Sequence, residues 1–199
     1  LQSVYAFNNH QLYTGEKEYD KEALAVIETA MWASEPVPFD PMEKTLHQIY
    51  EKHTSGDQRE NFSMVHEYPL EGVPPMMTHI FENKSGVRII AAKGAPEAIL
   101  KLCHLTDIQL QEVQAIIDQL ALQGYRILGV ATASHPGNDF PAAQQSFSFA
   151  LTGLVVFYDP PKPGIENVFR KFYEAGIEVK IITGDNPLTT KAIAGNAGI

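Results

Sequence analysis

The sequence predicts an α+β fold, an antiparallel sheet flanked by helices, followed by a shorter α/β unit. Three observations carry this reading. Two extended runs, residues 78–81 and 87–92, are joined by a stretch with turn chemistry, which makes a hairpin. Helices with side-chain caps stand on both sides of it. After residue 150 the pattern changes to apolar strand, helix, apolar strand, helix, the order of a parallel crossover unit.

Residues 1–7 alternate loosely and read as a strand or a hinge, with 1–8 expected to be the hinge. Residues 20–32 form a helix, with Ala23, Leu24, Val26, Ile27, Ala30 and Met31 at helical spacing. Pro36 and Pro38 break the chain after it. A second helix opens with Asp40 as N-cap, Pro41 at the first helical position and Glu43 at the third, the order of a capping box. Leu46, Ile49 and Tyr50 give it an apolar face.

Lys93 and Gly94 end the second hairpin strand, and Pro96 starts a helix to about Cys103. Thr106 with Gln109 caps a further helix that stops at Gly124, and residues 125–133 make a strand. A polar loop, 134–145, follows. Residues 151–158 are nearly all apolar, as in a strand buried on both faces. A helix over 164–175 ends at Gly176, residues 177–182 make a second apolar strand, and another helix begins near Pro187. A domain boundary is expected near residue 150, dividing 1–150 from 151–199.

The chain of 199 residues, 44% of them hydrophobic, is long enough to bury a core. A net charge of −9 argues against nucleic acid, since no Lys/Arg stripe faces a phosphate backbone. Any anion must find a local positive site on an acidic surface. The single cysteine, Cys103, forbids an internal disulfide, fits a reducing compartment and reads as core packing. No apolar run approaches the ~20 residues of a membrane helix, and no basic-then-apolar leader opens the chain. The chain is therefore expected to be soluble, without direct membrane contact.

The candidate site residues each carry two readings. Lys93 is either a strand-ending lysine in solvent or a point charge for a nucleotide phosphate, with Gly94 removing bulk beside it. Glu43 is a capping-box acid or a contact for a base. Arg126 clamps a phosphate or pairs with an acid, at the start of a strand continued by Ile127, Leu128 and Val130. Thr183-Gly184-Asp185-Asn186 is a phosphoryl-binding turn at a strand's carboxyl end, or a glycine turn with Asx capping of the next helix. Asp159-Pro160-Pro161-Lys162 is a stiff connector, or an acid and a base beside the same crevice. Seven histidines are present, yet His47, His53, His66, His79, His104 and His135 show no paired ligand spacing, so no metal site is expected.

Taken in order, Lys93-Gly94-Ala95-Pro96-Glu97, Asp159-Pro160-Pro161-Lys162 and Thr183-Gly184-Asp185-Asn186 resemble the cytoplasmic part of P-type cation-transporting ATPases. The resemblance implies a nucleotide-binding domain up to about residue 150. It implies the second half-unit of a haloacid-dehalogenase-like phosphorylation domain beyond. Lys93 would then lie near the ATP phosphates or base, and Glu43 near the adenine amino group. Arg126 and Leu128 would line the pocket, and Asp159 and Lys162 would sit where the domains close. Thr183 would hold the transferred phosphoryl group, and Asp185 the nucleotide or its Mg²⁺. The implied partners are ATP and the remainder of the same polypeptide, its actuator and transmembrane domains, at the cytoplasmic face of a membrane.

Departures qualify the resemblance. The phosphorylated Asp-Lys-Thr-Gly-Thr motif is absent and would precede Leu1; the later Thr-Gly-Asp-Gly-x-Asn-Asp motif is absent too. The chain reads as a fragment that cannot form an aspartyl-phosphate. Leu70 stands where the family commonly has a stacking phenylalanine, and Pro74 and Pro75 where it has cations, which predicts weak ATP binding. Tyr68 is the candidate substitute ring. Lys162 replaces an arginine and loses its bidentate fork. The Lys-Gly-Ala-Pro-Glu form resembles the calcium-type subgroup. A free-standing haloacid-dehalogenase phosphatase would need an Asp-x-Asp at a strand end, and Asp159 is followed by two prolines. A non-catalytic nucleotide-binding or regulatory module is the remaining alternative.

Overall fold

The computed structural model describes residues 1–15, 19–137, 139–184 and 186–199. Seven strands, β1 (Ser3–Ala6), β2 (Gln11–Thr14), β3 (Phe62–Glu71), β4 (Met76–Asn83), β5 (Arg88–Gly94), β6 (Arg126–Ala133) and β7 (Phe149–Phe157), form one sheet. Its order is β2-β1-β7-β6-β5-β4-β3, and every neighbouring pair is antiparallel.

Alternation along the central strands divides the core between two faces. Val4, Ala91, Val130 and Val155 point to one side, where α1 (Lys21–Trp32) and α2 (Pro41–His53) pack on them. Tyr5, Ile90, Ala92, Ala131 and Leu154 point to the other, under α3 (Pro96–Leu102) and α4 (Asp107–Ala121). The α+β expectation holds for this layered part.

Local chemistry starts the helices where the sequence placed them. The Asp20 carboxylate accepts from the amides of Glu22 and Ala23 at 2.9 and 3.0 Å. Thr106 and Gln109 complete a reciprocal capping box on α4. Gly124 takes the left-handed conformation, φ 78°, that turns the chain from α4 into β6.

The structure settles one alternative, adds a strand and corrects the reading beyond residue 150. Of the strand or hinge read at residues 1–7, Ser3–Ala6 forms the strand, buried between β2 and β7. The longest strand, β3, was not foreseen. The apolar run beyond residue 150 is not part of a parallel crossover. As β7 it runs antiparallel to both β1 and β6, so the sheet crosses the expected boundary and ends at Phe157. Residues 177–182 consequently have no edge of β7 to pair with, and they form no strand. Ile177, Ile181 and Ile182 are exposed. The helices α5 (Ile165–Glu174) and α6 (Pro187–Asn196) do form, and α6 is anchored by Thr189 donating to the Tyr125 carbonyl at 2.9 Å.

The placement of β7 has a direct test. A Cβ at Gly153 would lie 2.0 Å from the Tyr5 carbonyl oxygen and 2.8 Å from Val26 Cγ2. Gly153→Ala should therefore cost about 3 kcal/mol or more in urea-induced unfolding, because backbone must yield. A strand in a separate parallel unit would tolerate the methyl group.

A cleft built around a buried ion pair

Between α2, β3 and the ends of β4 to β6 lies a cleft of about 350 Å³, at the lower end of the ~300–1,000 Å³ range of ligand pockets. Met42, Leu46, Met77 and Leu128 supply apolar walls, and Phe39 and Leu70 stand at its rim with 79% and 62% exposure. The polar groups are few: Glu35, Asp40, Glu43, Glu67 and Lys93.

Lys93 sits on β5 opposite Met77 and Val130, on the α1/α2 face of the sheet. It is buried, and its ammonium donates to Glu43 Oε1 at 2.5 Å and to Ser34 Oγ at 2.6 Å. Ser34 Oγ in turn donates to the Ala30 carbonyl at the end of α1. Burial pulls the Lys93 pKa below its ordinary value, and the hydrogen bond and charge of Glu43 oppose that shift. The solvated reading of this lysine is thereby excluded. A direct reach to a phosphate is not its resting geometry either, since its ammonium is held by Glu43 and Ser34.

Glu43 departs from the capping-box expectation. Asp40 does cap α2, accepting from Met42 and Glu43 amides at 2.8 and 3.3 Å. The Glu43 side chain turns inward to Lys93 instead of back to the cap. Its second oxygen, Oε2, is buried with no hydrogen-bond partner among the described residues. A buried carboxylate oxygen facing an apolar cleft is an acceptor awaiting a donor.

Gly94 lines the cleft, but its need for glycine comes from the protein. A Cβ there would meet Met76 Cα at 2.5 Å and the Pro75 carbonyl at 2.6 Å. Leu128 lies in the wall. Arg126, half-buried, shares its face two residues earlier, roughly 7 Å along the strand. Tyr68 cannot replace the missing ring. It is buried on the opposite face against Phe147, with its hydroxyl donating to the Pro141 carbonyl.

The remaining candidates gather elsewhere. Lys162 and Thr183 line a second groove of about 270 Å³ with Ile165, Phe169 and Ile193. Asp159 is exposed on the connector, and Asp185 lies outside the described residues. Asn186 caps α6 by accepting from Leu188 N at 2.8 Å, as the Asx reading had it. Its amide also donates to Glu97 Oε1 at 3.1 Å, so the two sequence runs do touch, through the last residue of each. Reasoning from sequence also missed Glu35, Phe39, Met42, Leu46, Glu67 and Met77, whose spacing carries no shared motif.

Comparison with known proteins bears on this cleft. Residues 37–164 match the family described as P-type ATPase, cytoplasmic domain N, a span that, like the sheet, runs through β7. The chain is 32% identical over 184 residues to a sodium/potassium exporting P-type ATPase of Schizosaccharomyces pombe, covering 86% of this chain and 18% of that protein. It is 30% identical over 145 residues to a calcium-transporting ATPase of Bacillus subtilis, covering 67% and 16%. It is 30% identical over 182 residues to the human sodium/potassium-transporting ATPase subunit alpha-4, covering 80% and 18%. The chain thus spans less than a fifth of each of these relatives.

If the ion pair organises the cleft, Lys93→Met should lose about 3–5 kcal/mol of unfolding free energy, because Glu43 is left as an uncompensated buried charge. Adding Glu43→Gln should recover about 1 kcal/mol or more of that loss. Chemical denaturation of the single and double variants measures both.

Proposed function

Because this chain belongs to the P-type ATPase cytoplasmic domain N family, we propose that its cleft binds the adenine end of ATP. The observation that carries the reading is the unpartnered, buried Oε2 of Glu43 inside an apolar cleft. An adenine amino group is a donor of the right polarity, and a flat base suits walls of Leu46, Met77 and Leu128. Phe39 at the rim offers the aromatic face that Leu70 lacks.

In this reading Lys93 works through Glu43: it holds the carboxylate in place and adds positive potential beside Gly94. Arg126, on the same strand face as Leu128, meets the phosphates. Asp159, Lys162, Thr183 and Asp185 belong to the closing side, where Thr183 contacts the transferred phosphoryl group and Asp185 the nucleotide or its Mg²⁺. ATP with Mg²⁺ supplies the γ-phosphoryl group to an aspartate outside this sequence. This chain's own residues bind and orient, and the chain alone should release no phosphate.

The domain division is part of the same proposal, with the nucleotide-binding unit carried to Phe157 and the partial, haloacid-dehalogenase-like phosphorylation unit beyond it. Exposed Val168, Phe172, Tyr173, Ile177, Ile181 and Ile182 support this, as apolar surface that the rest of the polypeptide would cover. The intact protein would transport a cation across a membrane, with this part on the cytoplasmic face. Among the described residues no helix is long and apolar enough to cross one. Relatives are named for sodium/potassium, calcium and proton transport, and the Lys93-Gly94-Ala95-Pro96-Glu97 form is our reason for preferring calcium.

An amide NMR titration with a non-hydrolysable ATP analogue and Mg²⁺ tests the site. Saturable shifts are expected around Glu43, Met77 and Leu128, with a dissociation constant between high micromolar and millimolar, about −4 to −6 kcal/mol. Leu70→Phe should tighten binding by about 1 kcal/mol. Absence of shifts up to about 5 mM analogue would refute the proposal.

A further inference from the structure

One wall of the cleft holds a second constellation, assembled from three separate elements. Glu35 follows Ser34 after α1, Glu67 lies on β3, and His79 lies directly opposite Glu67 on β4. One ligand atom from each falls within 4.8 Å of the others. Directly opposed residues on antiparallel strands have Cβ atoms ~5 Å apart, so backbone pairing itself holds two of the three together.

The histidine supplies an independent sign of what the site takes. His79 is fully buried, and its Nδ1 lies 3.0 Å from the Ser34 carbonyl oxygen. A carbonyl only accepts, so Nδ1 carries the hydrogen, and Nε2 of the neutral ring is a bare lone pair. That Nε2 is buried with no hydrogen-bond partner among the described residues. Nearby Glu35 and Glu67 are acceptors and cannot satisfy it. Among the described residues the bare Nε2 meets no donor, and its imidazole is oriented by a carbonyl in the way that metal-bound histidines are.

We propose that Glu35, Glu67 and His79 bind a divalent transition-metal ion of the Zn²⁺ class. Two carboxylates and one imidazole nitrogen make a three-ligand set with an open position for water. The imidazole favours Zn²⁺, Co²⁺ or Ni²⁺ over Mg²⁺ or Ca²⁺, which prefer all-oxygen shells. Ligand atoms around one Zn²⁺ lie roughly 3.4 Å apart at ~2.1 Å from the ion. The exposed Glu67 side chain has room to close the difference. Burial also lowers the His79 pKa, against the opposing charges of Glu35 and Glu67. The histidine spacing in sequence gave no such site, because its partners lie on a loop and a strand distant in the chain.

Chelator-stripped protein titrated with Co²⁺ should develop a visible d–d absorption band at one equivalent, and Zn²⁺ should abolish it. Glu67→Gln and Glu35→Gln, both at positions that are not buried, should each weaken Co²⁺ binding about tenfold or more while leaving the melting temperature of the metal-free protein unchanged. Co²⁺ should also displace the His79 ring NMR signals before those of His104 and His135. Saturable binding that neither substitution alters would put the ion on other histidines and overturn the proposal. So would no binding up to about 1 mM Co²⁺. None of these readouts depends on nucleotide.

Discussion

Lys93 carries its ammonium into the interior of the sheet's α1/α2 face, and two oxygens meet it there: Glu43 Oε1 and Ser34 Oγ. Taking both charges out of water costs several kcal/mol per ion, and the attraction between them offsets this only when geometry and hydrogen bonding are good. The pair therefore adds little net stability but imposes a strong constraint. It fixes the first turn of α2 over β5 and ties the end of α1 to the same point through Ser34. Ser34 is the shared node, since its carbonyl also accepts from His79.

The consequence for the cleft is electrostatic. With Lys93 committed to one oxygen of Glu43, the cleft presents carboxylates from Glu35, Glu43 and Glu67 and mostly apolar walls. Such a surface suits the uncharged, donor-bearing edge of a base better than a polyphosphate. In the proposed reading, affinity for the charged end of a nucleotide comes from outside the cleft. Arg126 lies toward the start of β6, and Lys162 lies in the separate groove with Thr183.

Much of the fold was legible where the chemistry is local. Asp20, Asp40 and Thr106 announce helices because a short side chain satisfies amides two or three residues on. The strand β7 was seen but misplaced, since burial on both faces reads alike in a parallel sheet and in the middle of an antiparallel one flanked by helices. Edge strand β3 escaped because its alternation, Phe62, Met64, His66 and Tyr68, is diluted by polar residues and an exposed Val65. Of the site, Glu43, Lys93, Gly94 and Leu128 were named and do share one cleft. Their roles shifted, because whether Glu43 turns to its own helix cap or to a lysine on another element depends on tertiary packing, not on spacing. The grouping of residues 35, 67 and 79 has no local signal at all.

The central claim is that the free oxygen of Glu43, held by Lys93, is the atom that recognises the base. Comparing the affinity of the protein for ATP and for its inosine counterpart tests this directly. The two differ at the purine 6-position, an amino donor in one and a carbonyl acceptor in the other. The account predicts that the inosine nucleotide binds at least about tenfold more weakly, since its carbonyl would face a buried carboxylate. Equal affinities would contradict it.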